Sequence, residues 1–271
     1  MTFYQKLKDR WQAHNTLVCV GLDPLPEQFP ATVADAPNAI FAFNRAIIDA
    51  THDLVCAYKP QIAHYAALAA EDQLQQTLDY LRSQYPDIPI LLDSKRGDIG
   101  STAEQYAREA FERYGADAVT VNPYMGWDTI QPFAQYRDRG VIVLCRTSNP
   151  SAGELQNLHL DSGEPLFEHV ARIAARDWNA NRNLALVVGA TAPAELARVR
   201  QIVGDMPILV PGLGAQGGDA EAVLQAGLNA QRDGLIINSS RGILYASQGN
   251  DFAAAARHET ETLRELANRY R

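Results

Sequence analysis

No stretch of this 271-residue sequence approaches the roughly 18 consecutive apolar residues that a membrane span needs. Residues 1–15 carry charges throughout and hold no apolar core, so no signal peptide is expected. Cysteine is scarce. Cys19, Cys56 and Cys145 lie far apart in apolar runs, which predicts reduced core thiols of a cytoplasmic protein, not a disulfide or a metal site. Basic charge is short too: 24 Lys and Arg face 32 Asp and Glu, a net charge of −8. That balance argues against general nucleic-acid binding. It still allows an anionic small molecule, because a local cationic pocket can outweigh the global field. The six histidines show no ligand spacing, and no nucleophile elbow or Cys-His pattern falls at a strand end. Repeats, low-complexity tracts and linker composition are missing, so residues 1–271 are expected to form a single domain.

What the chain does contain is a recurring unit. Short apolar or β-branched runs occur at 17–21, 55–59, 88–92, 118–121, 141–145, 184–188, 207–210 and 235–237. Helical periodicity lies between most of them, as at 39–50, 73–83, 102–114 and 194–202. Strand alternating with helix implies parallel pairing. Eight units, about 34 residues each, predict an α/β fold of the (β/α)₈ TIM-barrel type. Phe3, Leu7 and Trp11 are spaced for a short docking helix ahead of the barrel. Ser101-Thr102-Ala103-Glu104 fits a capping box, and Gly115 fits a helix stop. The polar segment 149–165 is long for a βα loop and reads as a lid.

In a barrel the chemistry sits at the C-terminal strand ends. Strand one ends at Asp23, strand two at Lys59, and strand three at Asp93-Ser94-Lys95-Arg96-Gly97-Asp98. Asp93 and Lys95 are two apart and therefore share a face of a regular strand. A lysine among carboxylates stays protonated and is a poised proton donor. Lys59, Asp93, Lys95 and Asp98 would form an alternating quartet at the mouth. Carboxylates there could hold Mg²⁺, but the intervening lysines compete for the same oxygens, so no metal is expected. The last two strand ends read as a phosphate site. Pro211-Gly212 through Gln216-Gly217-Gly218 offers backbone N–H groups ahead of a helix, and Arg241 adds a guanidinium fork. Gly212, Gly214 and Gly217 also spell the dinucleotide fingerprint. Too little chain follows to build that fold, and the acid it requires is misplaced, since Asp233 precedes the next strand.

Asp93-x-Lys95-x-x-Asp98 on strand three, Lys59 on strand two, and the phosphate elements together resemble the orotidine 5′-monophosphate decarboxylase family from Asp23 to Arg241. The string 93–102 is similar to its longer-chain bacterial subgroup. The resemblance implies loss of CO₂ from orotidine 5′-monophosphate to give UMP in de novo pyrimidine biosynthesis, without metal or cofactor. It implies that Lys95 protonates C6 and that Asp93 and Asp98 flank it. Asp98 and Thr102 would come from the partner subunit of a homodimer. Lys59 and Asp23 would hold the ribose hydroxyls, and Ser148 would contact the pyrimidine. Pro211, Gly212, Gln216, Gly217 and Arg241 would bind the phosphate, with Gln216 also able to reach toward the base. Two other readings stay open. One is a Mg²⁺-dependent sugar-phosphate decarboxylase or aldolase, similar to 3-keto-L-gulonate 6-phosphate decarboxylase, which carries a carboxylate in place of Lys59. The other is a non-catalytic barrel that binds nucleotide phosphate.

Overall fold

Eight parallel strands form one sheet in the order β2-β1-β8-β7-β6-β5-β4-β3. The computed structural model describes residues 1–213 and 220–271. The strands are β1 Val18–Leu22, β2 Ala57–Pro60, β3 Leu91–Arg96, β4 Ala118–Val121, β5 Gly140–Arg146, β6 Leu184–Val188, β7 Ile208–Pro211 and β8 Leu235–Ser239. The ends of the sheet meet through bridges from Tyr58 to Ile90 and from Gln61 to Asp93, which bring β2 against β3 and close the barrel. Helices such as Ala39–Thr51, Glu71–Gln84, Gly100–Arg108 and Pro193–Val203 cover the outside. Both faces of β1, β4, β6 and β8 are buried along their whole length. That is why their sequences are largely apolar without alternation.

The N-terminal helix spans Phe3–Ala13, with Thr2 capping it by accepting from the Gln5 N–H. Phe3, Leu7 and Trp11 are all buried, as their spacing predicts. The three cysteines are free and buried. Burial pushes the Cys56 and Cys145 thiols up to about 12, so they stay protonated. Among the described residues, no helix is long and apolar enough to cross a membrane.

Three local expectations change. The Gly100–Arg108 helix begins with Ile99 at its N-cap and no side-chain cap, so Ser101 and Thr102 lie inside the helix and form no capping box. That helix widens into a π turn over Glu109–Arg113 before Gly115, whose φ of +60° ends it as expected. Segment 149–165 is not irregular throughout. It holds a 3₁₀ turn at Pro150–Ala152 and a short helix at Gly153–Gln156. Gln156 pins that helix to the end of β5, accepting from the Thr147 N–H at 2.9 Å and donating to Thr147 Oγ1 at 2.8 Å.

Candidate active site

Charged side chains converge where β1, β2 and β3 end. Lys59 is 3% exposed and donates to Asp93 Oδ2 at 2.9 Å. Lys95 donates to Asp93 Oδ1 at 2.6 Å. Asp23 Oδ1 lies 4.0 Å from Lys59 Nζ. Within one chain Asp23, Lys59, Asp93 and Lys95 therefore alternate in charge. The Asp98 of the same chain turns back on its own backbone, where its Oδ1 accepts from the Ile99 N–H.

The electrostatics follow from this arrangement. Burial alone would raise the Asp93 carboxyl, but Lys59 and Lys95 outweigh it and hold it well below the usual carboxylate range. Burial likewise opposes the Lys59 charge, yet Asp23 and Asp93 leave its ammonium above the ordinary lysine value. Both groups are thus ionised across the neutral range.

Backbone geometry places Lys95. β3 pairs with β4 as Leu92 to Val119 and then as Arg96 to Val121, so Asp93, Ser94 and Lys95 together face Thr120 alone. The bulge puts Lys95 in the left-handed region, at φ +49°, a conformation that costs a non-glycine residue strain. The expected contact between Asp93 and Lys95 forms, but across a bulged strand rather than a regular one. Thr120 Oγ1 accepts from the N–H groups of Ser94 and Lys95, both at 2.9 Å, and donates to Asp93 Oδ1 at 2.8 Å. Tyr245 steadies the first strand end, with its hydroxyl donating to the Asp23 carbonyl and accepting from the Leu25 N–H.

A cavity of about 190 Å³ opens on this group, lined by Asp23, Lys59, Asp93, Pro211, Gly212, Leu213, Asn238, Ser239, Ser240 and Arg241. Gly212 has φ +91°, which explains a glycine there. Gly21 is needed for a different reason: a Cβ on it would meet Ser240 Oγ at 1.8 Å. A second cavity of about 160 Å³ is lined by Lys95, Gly97, Asn122, Tyr124 and Met125. Three larger cavities, about 600, 560 and 410 Å³, lie under the N-terminal face of the barrel, against the Leu166–Ile173 helix and beside the C-terminal helix. None includes the ion-paired quartet, so charge rather than volume identifies the site.

The structure thus brings Asp23, Lys59, Asp93, Lys95, Pro211, Gly212 and Arg241 to the mouth. Ser148 follows β5 and packs beside Gly189, outside the smaller cavities. Thr102 is exposed on its helix. Gln216 and Gly217 lie outside the described residues. Sequence reasoning missed Thr120 and Asn238. Asn238 is 4% exposed, and its Oδ1, like Asp23 Oδ1, is buried without a hydrogen-bond partner among the described residues. Buried acceptors of this kind call for a donor. The signal for Asn238 was a polar residue closing the apolar run 235–237. Thr120 had none, since a threonine in a strand reads as packing.

The sequence model described as "Orotidine 5'-phosphate decarboxylase / HUMPS family" matches residues 16–257. A protein of Cellvibrio japonicus named orotidine 5′-phosphate decarboxylase is 60% identical over 271 residues, covering 99% of this chain and 98% of that one. The solved Leishmania donovani OMP decarboxylase is 39% identical with a TM-score of 0.83, covering 98% of this chain and 99% of that one. The Leishmania donovani UMP synthase is 41% identical with a TM-score of 0.86, covering 98% of this chain and 57% of that longer one.

Proposed function

The chain belongs to the orotidine 5′-phosphate decarboxylase / HUMPS family, and from that membership we propose how its own residues carry the reaction. It is a carboxy-lyase that converts orotidine 5′-monophosphate to UMP and CO₂ in pyrimidine biosynthesis. The observation behind the assignment of roles is the Lys95 ammonium, 2.6 Å from a buried carboxylate at the barrel mouth. As the bond from C6 to the carboxylate breaks, its electron pair stays on C6 and CO₂ departs. Lys95 then delivers a proton to C6. A fixed ammonium is attracted more strongly as negative charge builds on that carbon, so it stabilises the transition state more than the ground state. With 45% of its side chain exposed, Lys95 can recover its proton from water.

The remaining residues bind. The phosphate lies against Pro211, Gly212 and Arg241, with Gln216 and Gly217 completing that end and Ser148 meeting the pyrimidine. Ribose hydroxyls donate to Asp23 Oδ1 and accept from Lys59, which answers the unpartnered acceptor. Phosphate binding energy, remote from C6, drives segment 149–165 to close as a lid over the substrate. Asp98 and Thr102 reach the site from a second copy of the chain. Ile99, Tyr124 and Met125, which are 60%, 78% and 43% exposed, form the apolar margin of that interface. The reaction takes place in the cytoplasm and uses no metal or cofactor. The Mg²⁺-dependent alternative is not favoured, because Lys59 already occupies the Asp93 oxygen that a cation would need.

Following the absorbance of orotidine 5′-monophosphate with the purified protein tests this. The expected result is its steady loss with UMP as product, unchanged by EDTA. Activity abolished by EDTA and restored by Mg²⁺ would favour the metal-dependent branch, and UMP binding without turnover would favour a non-catalytic barrel.

A further inference from the structure

Three residues of β3 face one residue of β4, and that one residue is Thr120. A bulge of this kind leaves backbone N–H groups without ladder partners, and buried N–H groups must find acceptors elsewhere. Here the Ser94 and Lys95 N–H groups both find Thr120 Oγ1. A hydroxyl has one proton to give and two lone pairs to receive with. Thr120 uses all three, because its proton goes to Asp93 Oδ1, the same oxygen that receives the Lys95 ammonium. A single buried atom therefore fixes the backbone from which Lys95 springs, the carboxylate that Lys95 pairs with, and the strained φ of +49° between them. β-branching restricts χ1 and holds the hydroxyl on this bearing.

We propose that Thr120 is the positioning residue of this active site: its hydroxyl plugs the β3 bulge and so aims the Lys95 ammonium at the reacting carbon. The role rests on the assignment of Lys95 as the proton donor. Thr120 touches no substrate and contributes no proton. Its removal lets the bulge relax and moves the ammonium, and a displacement of about 1 Å is enough to cost about 10²-fold in rate.

The test compares Thr120→Val, which keeps the shape and loses the hydroxyl, with Thr120→Ser, which keeps the hydroxyl, and with Lys95→Ala in parallel. Rates are taken per site titrated with UMP, so loss of folded protein is not counted as loss of catalysis. Thr120→Val is expected to lower kcat about 10²-fold with KM and UMP affinity within about threefold, and Thr120→Ser to return kcat to within about fivefold of wild type. A Thr120→Val kcat close to wild type, or equal impairment in Thr120→Ser, would overturn the proposal. If Thr120→Val does not fold, Thr120→Ser decides alone. Near-wild-type kcat supports the hydroxyl's role, and a hundredfold loss with intact UMP binding defeats it. Full activity in Lys95→Ala would instead remove the proton-donor assignment beneath it, which separates the two failures.

Discussion

Buried cations sit at both ends of the barrel, and their partners differ. At the N-terminal end, Arg200 gives its guanidinium to four carbonyls, those of Gly227, Gly204, Met206 and Gly234, at 2.6–2.8 Å. Arg10 does the same with Val55 and His52 and adds the His14 ring. At the mouth, Lys59 and Lys95 face carboxylates, while Asp23 Oδ1 and Asn238 Oδ1 have no hydrogen-bond donor among the described residues. Burial prevails at the closed end and pushes Arg200 down to about 10. At the mouth the carboxylates prevail and raise Lys59. A buried charge therefore does not by itself mark an active site. The arginines tie loops together through carbonyls, whereas the mouth pairs its cations with carboxylates and keeps buried acceptors without a partner among the described residues.

This contrast can be broken by substitution. Lys59→Ala should lower kcat/KM by about 10³-fold, because it removes a charge aimed at the substrate and leaves Asp93 underpaired. A loss under tenfold, measured by steady-state kinetics, would place Lys59 with the structural cations. Arg200→Met should destabilise the fold by about 3 kcal/mol by stranding buried carbonyls. Its kcat per folded molecule should stay at the wild-type value. Urea unfolding and kinetics on the same preparation check both, and a catalytic loss without a stability loss would erase the distinction between the two ends.

The proposed shared site adds a second chain to the contrast. Mixing inactive Lys95→Ala with inactive Asp98→Ala should restore about a quarter of wild-type activity. Random pairing makes half the dimers mixed, and each mixed dimer keeps one intact site of its two. No recovery after co-refolding would remove Asp98 from the shared site. The smallest effect concerns a surface pair. Arg257 holds Asp53 chiefly by hydrogen bonds at 2.7 and 2.8 Å, lowering its carboxyl to about 2. Its stabilisation is present above the unfolded value near 3.8 and fades as pH falls toward 2. Asp53→Asn should cost about 0.5 kcal/mol at pH 7, and thermal melts of the two proteins should converge near pH 2. A gap that persists there would assign the effect to packing.

The barrel was largely legible in the sequence. Strands 118–121 and 184–188 match β4 and β6 residue for residue, because both are rich in apolar β-branched residues and bounded by polar or turn residues. β3 was harder. Its apolar run, 88–92, pointed too early, since the strand continues through Asp93, Ser94 and Lys95 to Arg96. Hydrophobic patterning fails where a strand carries the chemistry. The charged residues themselves announced the site, but the bulge and Thr120 did not, because a register shift is a property of two strands together. The approach of Asp23 to Lys59 is likewise a property of two strand ends together.

The central claim is that the Lys95 ammonium supplies the proton to C6, and Lys95→Ala tests it most directly. Decarboxylation of orotidine 5′-monophosphate, measured alongside UMP affinity on the same preparation, should fall at least about 10⁴-fold while UMP still binds within about tenfold of wild type. Turnover within tenfold of wild type, with UMP bound as before, would contradict the account.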